Sequence, residues 1–417
     1  MKTVKYRYKI INKYHILVLL FSIVVVFNCR GFNFLLPERM QYLYLRIYKI
    51  CTLCCIASFF SKKIKINVYR ELIIYCSSLV FLFLLPEFIY TSIIYHQKLK
   101  DFIFAIDCYL FVFWSLPVMY IFCKDNSIEP FLNLMAMLVT IGFLSLIINV
   151  YFKNNFNFSF FNMKRWEFRE GTIRIVDTSS FAAVALLFYW KKILEGRKNY
   201  IISCIILVLG YLYVDRTRAA MIALSASMYF MLIVKKSGTL SKCFWTFITF
   251  LGIFLMFEFH VIENLLYQFS PENNGASTIN RLEELKFYWG KFLENKLFGI
   301  GTLTSENLYS AMNISAVGNM NYQDIGIVGL LGVIGGIGTL LVFIIPIIRW
   351  IKILFKMYNR EKCSSDFIFL SGILLYIIAT SPTLIIINYQ RMPLYPICIA
   401  LYEFYYYKIK LETRKTR

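Results

Sequence analysis

The chain has 417 residues, 59% of them hydrophobic and 18% aromatic, with only 17% charged. Soluble domains average about 45–50% apolar and about 25% charged residues, so a soluble fold is excluded and lipid must solvate much of the surface. The formal net charge of +21 does not signal a nucleic-acid partner, because the basic residues sit in short clusters between apolar runs rather than in one basic domain.

Taken in chain order, Lys2, Lys5, Arg7, Lys9 and Lys13 precede an apolar run from Ile16 to Phe27. Asn28-Cys29-Arg30 follows, not a small-residue cleavage site, so the run reads as an uncleaved first helix. A spanning helix needs about 20 mostly apolar residues. Segments of this kind are predicted at 14–29, 41–60, 71–90, 102–123, 130–152, 178–190, 199–214, 218–234, 242–259, 324–348, 367–387 and 391–407. Segment 41–60 carries Arg46 and Lys49, and 178–190 is short. With the N-terminus inside and the spans alternating, 27 of the 45 Lys and Arg residues fall in the short inner segments and 16 outside, the positive-inside pattern. The expected fold is an all-α polytopic transmembrane bundle of about 12 spans, one domain over 1–417, with both termini cytoplasmic. The 11 cysteines form no CxxC motif and the 3 histidines lie far apart, so metal ligation has little support. Glu258, His260 and Glu263, at the outer end of the ninth span, are a weak exception.

Two outer loops are expected to form the active-site face. One is 153–177. The other, 260–323, holds an amphipathic stretch from Ile279 to Leu297, read as an Asn280-capped helix ended by glycine, with Leu282, Leu285, Trp289 and Leu293 at helical spacing. A long loop with internal structure usually carries function. No Walker loop, no strand–GxGxxG–helix and no internal repeat is present, so nucleotide chemistry is not expected.

Arginines on the outer face run against the positive-inside bias. They are Arg169 and Arg174 (with Lys164 and Arg165) in the first loop, Arg216 and Arg218 in the turn Asp215-Arg216-Thr217-Arg218, and Arg281 in the long loop. Charge near membrane depth is costly, and guanidinium groups grip phosphate bidentately at any working pH. The alternative is ion pairing: Arg216 or Arg218 with Asp215, Arg169 with Glu167 or Glu170, Arg281 with Glu284. Glycines at 326, 329, 332 and 335 recur along the helix that follows Asn321 and Gln323, a packing device in lipid. Gly299 and Gly301 either let the backbone pass close to a ligand or end the preceding helix. Asp324, at the entry of that glycine-rich helix, is either a base for a sugar hydroxyl or a charge favoured by the helix dipole.

The local patterns occur in a recognisable order: Arg169 with Gly171, then Asp177-Thr178-Ser179-Ser180; Asp215-Arg216-Thr217-Arg218-Ala219-Ala220; Ser277 with Arg281, Trp289 and Leu297-Phe298-Gly299-Ile300-Gly301; and Asn321-Tyr322-Gln323-Asp324-Ile325-Gly326. In this order the chain resembles the O-antigen and capsule polymerases, the Wzy-like group within the O-antigen ligase and polymerase family. The resemblance covers roughly 160–335. It implies glycosyl transfer at the outer face of the cytoplasmic (inner) membrane, extending an undecaprenyl-pyrophosphate-linked oligosaccharide, with no cofactor. A flippase and a chain-length regulator are the implied partners, beside membrane lipid. It further implies that Arg169, Arg174, Arg216, Arg218 and Asn321 bind the pyrophosphate-linked substrate and that Arg281, on the pyrophosphate, and Asp324, as base, are catalytic. Ligases of the family typically carry a histidine in the stretch that here reads Asn319-Met320-Asn321-Tyr322. None stands there, nor anywhere after His260, which favours a polymerase. A flippase is the rival from another class; Arg46 and Lys49 favour it, whereas the long loop and the lack of a repeat oppose it.

Overall fold

The computed structural model describes residues 13–35, 50, 53–54, 57, 66–125, 127–160, 166–169, 172–175, 178–235, 275–304, 322–387 and 391–415. The predicted span 242–259, nearly all of 41–60, Asn321 and the Glu258, His260 and Glu263 group lie outside these residues. Among the described residues, five helices are long and apolar enough to cross a membrane: Tyr69–Tyr95, Asp107–Lys124, Glu129–Phe156, Lys198–Asp215 and Tyr322–Arg360. Tyr14–Asn28, Ala219–Lys235 and Ser365–Thr380 are shorter apolar helices, and Leu394–Lys415 closes the chain. The protein is an α-helical, multi-pass membrane protein. Runs of Ile, Leu and Phe adopt this form because hydrocarbon offers the backbone no hydrogen-bond partner, and a helix satisfies its own.

The short predicted span 178–190 turns out to be central. Helix Ala182–Leu194 is only about 20 Å long, but Ala182 through Tyr189 and both Lys191 and Lys192 are buried. It is short because it lies inside the bundle, packed against the helices Glu129–Phe156, Ile201–Leu209, Arg218–Lys235 and Ser365–Thr380. Its two lysines, counted by sequence among the inner segments, enter a carboxylate cluster. Lys191 Nζ lies 2.6 Å from Asp366 and 3.7 Å from Glu195. Lys192 contacts Glu129 and lies 3.2 Å from Glu195. Arg349 is likewise held by Glu403, with Nη2 donating to Oε2 at 2.8 Å.

One departure from an all-α reading occurs in the 153–177 segment. Helix Glu129–Phe156 runs beyond the predicted 152, and Trp166–Arg169 (β1) then pairs antiparallel with Thr172–Ile175 (β2). The apolar positions of β2, Ile173 and Ile175, are buried, and Ile175 clusters with Leu146, Val150 and Val214.

The glycine-rich helix is broken rather than merely close-packed. Gly335 has φ 61° and ψ −168°. Gly336 N–H, which would donate to Gly332 in an intact helix, donates instead to the Lys296 carbonyl at 2.8 Å. Ile337 N–H similarly turns to the Leu297 carbonyl at 3.4 Å. The freed carbonyls of Gly332 and Val333 accept from Ile300 and Gly301 N–H, each at 2.8 Å. The turn after helix Gly275–Glu294 is therefore inserted into the break. The match needs glycine on both sides: a Cβ on Gly335 would stand 2.2 Å from the Leu297 carbonyl oxygen, and one on Gly299 2.4 Å from that of Gly332.

Gly335→Ala should lower the melting temperature of the purified protein in detergent by roughly 5 °C or more, since left-handed backbone and the carbonyl clash both oppose a Cβ. Gly290→Ala, where nothing lies within 4 Å, should be neutral or mildly stabilising; equal melting of the two variants would contradict the inserted turn. A second expectation concerns pH. Burial pushes the Glu195 carboxyl up, but the Ser365 hydrogen bond and the Lys191 and Lys192 charges outweigh it and hold the carboxyl below its usual 4.5. A carboxyl depressed by folding contributes stability that is complete above its unfolded value and lost as pH falls through its folded value. Melting temperature should therefore drop below pH 4.5 more steeply in the wild type than in Glu195→Gln; identical acid slopes would remove Glu195 from the linkage.

Candidate functional site

The polar residues between Asp177 and Ser180 act first as staples. Asn28, at the end of the first helix, accepts from Ser180 N–H at 2.8 Å and donates to Ser180 Oγ at 3.1 Å. Arg30 N–H donates to the Thr178 carbonyl at 3.0 Å. Thr178 Oγ1 then donates to Asp215 Oδ2 at 2.8 Å, and Thr217 Oγ1 donates to the other Asp215 oxygen. Asp215, 8% exposed, thus ties the ends of three helices together.

This clamp fixes the turn that bears the arginines. Helix Ile201–Leu209 widens into a π-turn, Gly210–Asp215, and Arg216 follows with φ 56°, its N–H on the Tyr211 carbonyl at 2.8 Å. A left-handed backbone costs a non-glycine residue about 1 kcal/mol or more. The two hydroxyls on Asp215 hold the turn that imposes it. Arg218 begins the next helix, and its side chain is not among the described ones. Strand β2 packs beside Val214, so Arg174 belongs to the same neighbourhood, opposite Glu167 in the ladder. Of Arg169 the backbone position is described, opposite Thr172.

One cation here was missed from the sequence. Arg391 Nη1 donates to the Leu384 carbonyl at 2.9 Å. Arg391 and Asp215 both lie within electrostatic reach of the Tyr211 and Tyr376 hydroxyls. Its signal was available: it is the one arginine flanking the short turn between the last two predicted spans.

A second cluster surrounds the inserted turn. Asp324 lies in the 3-10 turn Tyr322–Ile325 directly before the glycine-rich helix. The Tyr322 ring stands 6.3 Å from that of Tyr288, which packs on Gly332. Helix Gly275–Glu294 begins five residues before Asn280, which is therefore not its cap. Arg281 is exposed on that helix and makes no ion pair with any described residue, whereas Glu284 is buried. The two clusters meet at the turn after Thr380. Ile327 N–H, three residues from Asp324, donates to the Ser381 carbonyl at 3.0 Å, and Leu384 of the same turn receives Arg391. Arg391 and Asp215 thus share the neighbourhood of Tyr211 and Tyr376, and the turn after Thr380 links Arg391 by backbone to the helix that follows Asp324. No described contact joins Arg281 to this neighbourhood, and Asn321 lies outside the described residues.

Glu87 was also missed, a carboxylate within an apolar run. It is fully buried; Oε1 accepts Thr302 N–H at 2.8 Å, and Oε2 has no hydrogen-bond partner among the described residues. Gln97 adds a donor to the Thr302 carbonyl at 2.9 Å, and Tyr90 stacks on Phe298 at 5.0 Å. Together they pin the far side of the inserted turn. Its glycines pass close to two spans, Gly299 to Gly332 and Gly301 to Thr91 and Tyr90.

The geometry defines a multi-pass membrane protein with tied helix ends and an inserted turn. Residues 202–344, about a third of the chain, match the family model described as O-antigen ligase, consistent with a member of the Wzy and O-antigen ligase group. The match includes Arg216, Arg218, Arg281 and Asp324 and leaves out Glu87, Arg174 and Arg391. No curated protein sequence matches the chain.

Removing the Glu87 clamp should free the turn. In Glu87→Ala the buried Thr302 N–H loses its acceptor, at a cost of about 1–3 kcal/mol. Amide exchange over 299–302 should rise roughly tenfold or more by mass spectrometry, and stay near wild type in Glu87→Gln, which retains the acceptor. Unchanged exchange in the alanine variant would show that Glu87 does not hold the turn.

Proposed function

We propose that this protein polymerises undecaprenyl-pyrophosphate-linked oligosaccharide repeat units at the outer face of the cytoplasmic membrane, in a twelve-span arrangement with both termini inside. The observation that carries the reading is the Asp215 clamp, which holds the turn bearing Arg216 beside the strand of Arg174 and near Arg391. The family match over 202–344 supports a role in membrane polysaccharide synthesis.

In this reading the guanidinium groups of Arg216 and Arg391, with Arg174, Arg169 and Arg218 beside them and Arg281 and Asn321 from the long loop, bind the donor pyrophosphate. Asp324 accepts the proton of the attacking hydroxyl on the new repeat unit. That oxygen bonds to the anomeric carbon of the growing chain, the bond from that carbon to the pyrophosphate oxygen breaks, and undecaprenyl pyrophosphate leaves with the electron pair. Arginines in place before the reaction stabilise the charge that builds on the leaving group. The donor carries its own leaving group, so the reaction consumes no nucleotide.

The family description favours a second reading, in which the chain is transferred to a different acceptor by a ligase. The missing histidine in 319–322 weighs against it. Deletion of the gene distinguishes the two: loss of a polymerase leaves single repeat units on the surface, whereas loss of a ligase leaves none on the final acceptor. Arg216→Ala and Arg391→Ala should each cut long-chain product by about 100-fold at unchanged protein level, read as the ladder of chain lengths on a gel. Intact ladders in both variants would remove these residues from the mechanism.

A further inference from the structure

We propose that the second half of helix Gly275–Glu294 and the turn that follows re-enter the membrane, with Leu285, Trp289, Leu293 and Leu297 facing the hydrocarbon of the outer leaflet. This inference is independent of the chemistry proposed above.

Three observations carry it. The first is depth. The apolar run of the glycine-rich span extends from Ile325 to Ile348. At 1.5 Å per residue, Gly332 lies about 10 Å and Gly336 about 16 Å along it. Tyr288 packs on Gly332, and Phe292 and Lys296 flank Gly336. The two helices therefore run side by side in the same direction, and the inserted turn sits well below the outer end of the span.

The second is the division of the helix surface. At 100° per residue, Ile279, Leu282, Leu285, Trp289 and Leu293 fall within an arc of about 120°. All are exposed, Trp289 at 43% and Leu293 at 51%. The sector carrying Glu284 and Tyr288 is buried against the bundle. A third sector carries Asn280, Glu283 and Glu294, all exposed. A helix with separate protein, water and apolar faces suits a position at the boundary of the bundle and the leaflet. Lys286 falls within the apolar arc and is exposed; its long stem lets the ammonium reach the headgroups.

The third is continuity with surface that lipid must cover. Tyr90 donates to the Gly299 carbonyl at 3.2 Å. On the same helix Ile89, Ile93 and Ile94 are 50%, 67% and 53% exposed. On the other flank, Leu340, just beyond the break, is 49% exposed.

The full chain in vesicles of phosphatidylethanolamine and phosphatidylglycerol, with p-benzoylphenylalanine at position 289 or 293, tests the proposal by photocrosslinking. Phospholipid adducts at both positions, by mass spectrometry, are expected. The same probe at position 283, in the water-facing sector, should give at least tenfold less. Adducts at 289 and 293 to the protein's own peptides, or lipid yields no higher than at 283, would overturn it. Both sites are exposed, so folding is expected to survive, and a wild-type melting profile for each labelled protein verifies this.

Discussion

At Gly335 the glycine-rich span gives up two of its own hydrogen bonds and takes four from the turn that follows helix Gly275–Glu294. Backbone groups inside a membrane cannot be left unpaired without a cost of several kcal/mol each. The break is therefore tolerable only because the turn fills it, and the turn can reach that depth only because the span is broken. Gly299 and Gly335 make the approach sterically feasible. Glu87, Gln97 and Tyr90 close the other side. Helix Gly275–Glu294, with Arg281 and Tyr288, takes its position from this joint, and Tyr288 in turn meets the turn that bears Asp324.

The second anchor is the carboxylate of Asp215. Its two hydroxyl donors, Thr178 and Thr217, come from different segments, and the first links to the end of the opening helix through Ser180 and Asn28. The arginines beside it are thus carried on a turn whose backbone is held, which is what an anion site needs if binding is not to be spent on ordering the protein. Elsewhere, Lys191, Lys192 and Arg349 are taken up by Asp366, Glu129, Glu195 and Glu403. Charge there ties helices to one another.

The apolar runs showed most of the described helices to within a few residues, because lipid exposure leaves an unmistakable length and composition. They undervalued 178–190, whose shortness reflects enclosure by protein rather than marginal insertion. Glycines at three-residue spacing read as close packing, which Tyr288 on Gly332 bears out. The break at Gly335 was hidden, because it depends on a partner segment about 35 residues earlier. The arginine-bearing turns stood out by their position against the charge bias, but Arg391 and Glu87 did not. A single charge at a span edge looks like any other until the fold shows what surrounds it. The Asp177 to Ser180 motif was visible; its role as a staple to Asn28 and Asp215 was not, since both contacts are remote in sequence.

The central claim, that the outer guanidinium groups form a pyrophosphate site, is tested most directly by titrating the protein in nanodiscs with undecaprenyl pyrophosphate and following the complex by native mass spectrometry. The account predicts saturable binding, weaker binding of undecaprenyl monophosphate, and loss of preference between the two when Arg216 and Arg391 are both replaced by alanine. Equal affinity for the two lipids in the wild-type protein, or an unchanged preference in the double variant, would contradict it.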